Sequence, residues 1–157
     1  MEHKILWPTE LSKSSRQALP HVLSLAEKYG STVLVLYVAP DLYSLFPAYG
    51  NYPNEEFIAK FQEWEADKAK KSLQDVCSQE LNVCRNVDFR LLRGDAALEI
   101  LKAAQEEGVD MIVMSSRGHS FDTVGRVGSG FGSVASKVAE ESPVPVVLVN
   151  PESSKKE

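Results

Sequence analysis

Between Ser115 and Val134 the chain reads SSRGHSFDTVGRVGSGFGSV. Five of its nine glycines fall there: Gly118, Gly125, Gly128, Gly130 and Gly132. Glycine lets a backbone turn sharply and come close to a bound group. The apolar run MIVM precedes this stretch, and VASKVAEESP, with the pattern of a helix, follows it. A glycine-rich strand-to-helix connection offers unpaired amide N–H groups at the positive end of a helix dipole, a setting suited to phosphate. Ser129 and Ser133 could add hydroxyl donors, and Arg117 or Arg126 could add charge. A flexible connector of small residues would have the same composition, so both readings stand at this point. Two known phosphate motifs are excluded. No Gly-Lys pair exists for a Walker loop, and the Gly128-x-Gly130 start of a dinucleotide fingerprint meets Ser133 where its last glycine belongs.

Other residues offer less chemistry. His3, His21 and His119 are the only imidazoles, and none has a partner at metal-ligand spacing. His119 reads as an exposed loop residue, while Asp122 is a candidate for holding Mg²⁺ through water. Cys77 and Cys84 form no CxxC pair and read as buried or half-buried free thiols. Arg93-Gly94-Asp95 reads as a turn followed by a helix cap, and Lys68, Lys70 and Lys71 as a solvated helix face. No nucleophile is paired with a base, so a dedicated enzyme is not expected.

The elements that must position these residues follow from hydrophobic period. KILW, ending at Pro8, is a short buried strand, and TVLVLYV is apolar on both faces, as in the middle of a parallel sheet. A helix is expected over Ser12–Tyr29, closed by Gly30, with Pro20 a difficulty inside it. Ala39–Asn54 reads as a loop carrying Tyr43, Tyr49 and Tyr52. A long helix follows from Glu55 to about Leu81, its apolar stripe running through Phe57, Phe61, Trp64, Leu73, Val76 and Leu81. VDFRLL alternates as a strand nearer an edge. Asp95 caps a helix over Ala96–Glu107 that Gly108 closes, and DMIVM is a second core strand. A helix from Ser133 to Glu141 and a final strand in PVPVVLVNP complete the order.

Strands alternating with helices predict a doubly wound five-stranded parallel sheet, a flavodoxin- or Rossmann-like three-layer α/β sandwich. The chain reads as one domain over 1–151 with a disordered tail at 152–157. A net charge of −5 implies no general affinity for nucleic acid. No apolar run approaches the ~20 residues of a membrane span, and the N-terminus has no secretory pattern, so a cytoplasmic protein is expected. Ligands of such folds bind beyond the carboxyl ends of the strands, where the strand order reverses. The glycine stretch lies at one of those ends.

The stretches KILWPTELS, RGDAALEILKAAQEEGVDMIVMSSRG and GSVASKVAEESPVPVVLV resemble the universal stress protein family over nearly the full length. The resemblance implies ATP, or AMP, at the switch point, with Mg²⁺ as a companion, in a stress-response sensor or regulator. It places Pro8, Thr9 and Glu10 near the adenine or ribose, Val38 against the base, Met114, Ser115 and Gly118 at the turn, and Gly132, Ser133 and Val134 at the phosphates. Two registers fit the last group. Nine residues after Gly118 come Gly128 and Ser129, whereas counting back from Pro143 gives Gly132-Ser133-Val134, which the match of the following helix favours. Glu10 stands where the family has aspartate, and Ser115 where it has the first glycine of Gly-x-x-Gly, a cost if that site needs positive φ. The last strand resembles the family's dimerisation strand and implies a homodimer. Many family members bind no ATP, so the alternative is a nucleotide-free dimeric interaction module; slow ATP hydrolysis is the most enzyme activity implied.

Overall fold

A computed structural model describes residues 2–42, 55–82, 84, 86–117 and 132–151. Five strands, β1 (Lys4–Pro8), β2 (Thr32–Ala39), β3 (Val87–Arg93), β4 (Met111–Ser115) and β5 (Val146–Val149), form one sheet. Its order is β3-β2-β1-β4-β5, and every pairing is parallel. The helices are α1 (Lys13–Arg16), α2 (Leu19–Tyr29), α3 (Glu55–Gln79), α4 (Ala96–Glu106) and α5 (Ser133–Glu141).

Alternation along the central strands divides the core in two. Ile5, Trp7, Val33, Val35 and Val113 pack with Leu19 and Val22 of α2 and Leu73 and Val76 of α3. Leu6, Leu34, Leu36, Ile112 and Met114 pack on the other face with Ile100 and Ala104 of α4 and Ala135 and Val138 of α5. The predicted three-layer α/β fold is therefore the observed one. β3 lies at a sheet edge with alternating burial, as its sequence pattern implied. Among the described residues no helix is long and apolar enough to cross a membrane.

Two expectations about helices need correction. The helix expected over Ser12–Tyr29 is two helices, with Gln17 and Ala18 between them. Pro20 takes a first-turn position of α2, where its missing N–H is not needed. The second correction concerns α3. Phe57, Phe61 and Trp64 do not face the core: they are 63%, 41% and 57% exposed. The buried positions of that half are Ile58 and Gln62, and only from Ala69 onward do Leu73 and Val76 follow the expected stripe. Phe61 and Trp64 pack on one another, and Trp64 on a cation, instead. Phe61 and Trp64 have ring centroids 5.8 Å apart, and Lys68 Nζ lies 5.2 Å from the Trp64 ring. The expected loop residues Tyr43, Tyr49 and Tyr52 lie outside the described residues.

Leu73→Ala is therefore expected to destabilise the protein by about 2–5 kcal/mol, the range for emptying a filled core position. Trp64→Ala is expected to change stability by less than ~1 kcal/mol, since only surface packing and a cation–π contact are lost. Urea unfolding of both variants checks the contrast.

Burial raises the Cys77 and Cys84 thiols above their ordinary range, with the Asp88 charge adding to the effect at Cys77. Burial raises Tyr37 in the same direction, helped by Glu65 and Glu10. The folded state thus keeps these protons to higher pH than the unfolded chain. Their contribution is intact below the unfolded thiol pKa of ~8.5 and is lost as pH rises through the folded values. Urea midpoints are expected to fall above about pH 8.5, and to fall less in the Cys77→Ala/Cys84→Ala double variant.

Candidate functional site

The chain leaves β1 in one direction to reach β2 and β3 and in the other to reach β4 and β5. A cleft of about 180 Å³ opens beyond the carboxyl ends of β1, β2 and β4, where the strand order reverses. Its floor and walls are Pro8, Thr9, Glu10, Ser15, Leu36, Val38, Ala96, Ile100, Met114, Ser115, Ser116, Arg117, Gly132, Ser133, Val134 and Ala135.

The β1 side is built from hydroxyls that bond one another. Thr9 Oγ1 accepts the Leu11 N–H at 3.0 Å and lies 3.0 Å from Ser15 Oγ. Ser15 Oγ accepts the Ser12 N–H at 3.0 Å and lies 3.1 Å from Ser12 Oγ, while Ser12 Oγ accepts the Ser15 N–H at 3.2 Å. This reciprocal capping box starts α1. It also holds Leu11 at φ 61°, a left-handed conformation that costs a branched side chain ~1–2 kcal/mol. The Thr9 hydroxyl thus fixes the turn that presents Glu10, which is exposed at the cleft.

The β4 side is tied to α5. Ser116 N–H donates to the Val149 carbonyl at 2.9 Å, and the Ser116 carbonyl accepts the Gly132 N–H at 2.8 Å. That second bond places the first turn of α5 beside the end of β4. No side chain caps α5: its N-cap is Gly132, whereas Ser12 caps α1 and Asp95 caps α4. The N–H groups of Ser133 and Val134 open the helix and so have no intrahelical acceptor. Arg117 adds positive charge at the same end of the cleft. Leu36 and Val38 of β2 with Ala96 and Ile100 of α4 make the opposite end apolar.

Nine of the twelve sequence-predicted site residues line this one cleft: Pro8, Thr9, Glu10, Val38, Met114, Ser115, Gly132, Ser133 and Val134. Gly118, Gly128 and Ser129 lie outside the described residues, as do His119, Asp122 and Arg126. Ser115 does not carry the strain considered for it. Leu11 is the only non-glycine residue with positive φ among those described, so Ser115 ends β4 in ordinary backbone. Its Oγ accepts the Arg117 N–H at 3.3 Å and helps close the turn. Ser15, Leu36, Ala96, Ile100 and Ala135 were not foreseen. Ala96 and Ile100 carry the helical period of α4, but that period cannot say which turn reaches the cleft.

The universal stress protein family model matches residues 1–150. The chain belongs to that family. Universal stress protein MJ0577 of Methanocaldococcus jannaschii is 29% identical over 98% of each chain. A universal stress protein of Thermus aquaticus is 33% identical over 92% of this chain and 96% of its own. The solved MJ0577 structure superposes with a TM-score of 0.79 over 96% of each chain. A universal stress protein from Archaeoglobus fulgidus, solved in complex with dAMP, shares the fold at 19% identity, with a TM-score of 0.60 over 94% of this chain and 97% of its own. Membership explains the strand order as shared architecture.

The hydroxyl cluster under Glu10 gives a direct test of its own. Ser15→Ala leaves the Ser12 N–H and the Thr9 hydroxyl short of a partner in a buried setting. It is expected to cost about 1–3 kcal/mol in thermal or urea unfolding.

Proposed function

We propose that the cleft binds an adenine nucleotide, ATP or AMP, and that the protein acts as a cytoplasmic stress-response sensor or regulator. The observation that carries this reading is the pairing of an apolar end with an uncapped helix start across one strand. Leu36, Val38, Ala96 and Ile100 suit a purine ring. The Ser133 and Val134 N–H groups and Arg117 suit phosphate at the other end. β2 and β4 flank β1, so the two ends lie about 10 Å apart, two inter-strand spacings. That is the order of the reach from a purine to its 5′-phosphate. The dAMP complex of the Archaeoglobus relative supports the ligand class.

Mg²⁺ fits this reading as a companion of the phosphates. Glu10 is the carboxylate lining the cleft, and Mg²⁺ commonly takes one or two carboxylates with phosphate oxygens and water. The N-cap position of Gly132 at the start of α5 supports the register in which Gly132-Ser133-Val134 meet the phosphates. A homodimer through β5 is part of the proposal. β5 pairs with β4 on one side only, and Val146, Val147 and Leu148 are incompletely buried along the open edge.

The test begins with protein purified without added ligand, denatured, and analysed by chromatography for released nucleotide. Mg·ATP is then titrated calorimetrically into wild type and Ser133→Pro. Proline is tolerated at the first position of a helix, and Gly132 at ψ 158° is compatible with a following proline. The variant should fold normally yet lose one amide donor, weakening ATP binding by about 10- to 100-fold. No released nucleotide and no heat with wild type would instead favour a nucleotide-free interaction module.

A further inference from the structure

We infer that the Ser115 hydroxyl is a ligand-contacting group that donates its proton to a phosphate oxygen, a specificity contact that glycine at this position could not make. The inference rests on the nucleotide reading above. Ser115 is 6% exposed and lines the cleft. A serine hydroxyl has one proton to give and two lone pairs. At Ser115 one lone pair takes the Arg117 N–H at 3.3 Å, and no acceptor for the proton lies among the described residues. Four other hydroxyls line the cleft, those of Thr9, Ser15, Ser116 and Ser133, and the first two differ from Ser115. Thr9 and Ser15 bond each other, with Ser12 completing the set, so their hydrogen-bonding capacity is spent inside the protein. Ser115 is thus a nearly buried donor on the wall of the cleft, and buried donors in native proteins have partners.

The position identifies the acceptor. Ser115 directly precedes Ser116, whose carbonyl holds the Gly132 N–H. It also precedes Arg117 by two residues, and both line the same end of the cleft. A group placed there meets a hydroxyl donor, a guanidinium and the open amides of α5 together. An anionic oxygen satisfies all three, whereas a purine edge belongs with Leu36, Val38 and Ile100 at the far end. The phosphate nearest the sugar is the part of a nucleotide that reaches this point first.

The competing role for Ser115 is purely local: its Oγ accepts the Arg117 N–H and closes the turn. The two roles separate in a ligand series. Affinities of adenosine, AMP and ATP are measured for wild type, Ser115→Ala and Ser115→Gly by calorimetry, or by competition where binding is weak. Ligand-free melting temperatures are recorded alongside. A phosphate contact predicts that Ser115→Ala weakens AMP and ATP by roughly tenfold or more and leaves adenosine within about twofold. Ser115→Gly, the residue of the family pattern, should reproduce the loss, and it carries the comparison if the alanine variant folds poorly. Unchanged AMP affinity in a folded variant overturns the inference while leaving nucleotide binding intact. An equal loss for adenosine and AMP also overturns it, because a disturbed turn would affect the whole ligand. Wild type that binds none of the three overturns the nucleotide reading and this inference with it.

Discussion

The polar end of the cleft depends on one backbone hydrogen bond, from the Gly132 N–H to the Ser116 carbonyl at 2.8 Å. Ser116 follows the last residue of β4, and its own N–H is held by Val149 of β5. The bond therefore anchors the N-cap of α5 to the sheet rather than to a neighbouring helix. The amides that follow begin the helix and have no intrahelical acceptor, and Ser133 and Val134 line the cleft. A serine or aspartate N-cap would turn its side chain onto these same amides. Glycine leaves them uncovered, and this is the most direct physical answer to why glycine stands at that position.

The β1 side of the cleft uses the opposite strategy. There Ser12, Thr9 and Ser15 satisfy one another and the local backbone so fully that the turn at Leu11 is held in a left-handed conformation. Strain of ~1–2 kcal/mol at a branched residue persists only where surrounding bonds over-determine the backbone. Here they do, through the Leu11 N–H on Thr9 and the capping box beyond it. The consequence is a fixed direction for Glu10. Rigid hydroxyls set the place of a carboxylate on one side, and open backbone donors lie on the other.

Much of this was legible in the sequence because its signals are local. The unbroken apolar run TVLVLYV requires a strand buried on both faces, and β2 is one. Asp95 and Gly108 bracket α4 as cap residues should, with Gly108 at φ 59°. The start of α5 at Ser133 was visible from the helix and proline that follow it. The misreadings share one cause. Phe57, Phe61 and Trp64 have helical spacing, but periodicity reports a face without saying which face the sheet covers. Ile58 and Gln62 occupy the covered face of that half, and polar Gln62 hides it from a hydrophobic reading. Pro20 was read as a fault inside one helix because the four-residue α1 before it has no hydrophobic period of its own. The cleft residues on α4 were invisible for a similar reason: their role comes from a helix crossing the sheet, a tertiary fact.

Departures from local rules concentrate at one end of this molecule. Leu11 adopts positive φ, α5 lacks a side-chain cap, and Ser115 buries an unspent donor, all around one cleft. One residue before that cleft, the Trp7 indole N–H is buried without an acceptor among the described residues. Folded sequences agree with their structures at most positions, and the disagreements they keep mark places held by something other than stability. At the amino end of the sheet the pattern is conventional: Lys4 N–H bonds the Asp110 carboxylate at 2.8 Å, and Lys4 Nζ bonds the Glu107 carbonyl at 3.0 Å. That end has an orphan of its own, the buried Thr32 hydroxyl, which has no partner among the described residues; the carboxyl end differs in gathering its strained turn, uncapped helix and open donor around one cleft.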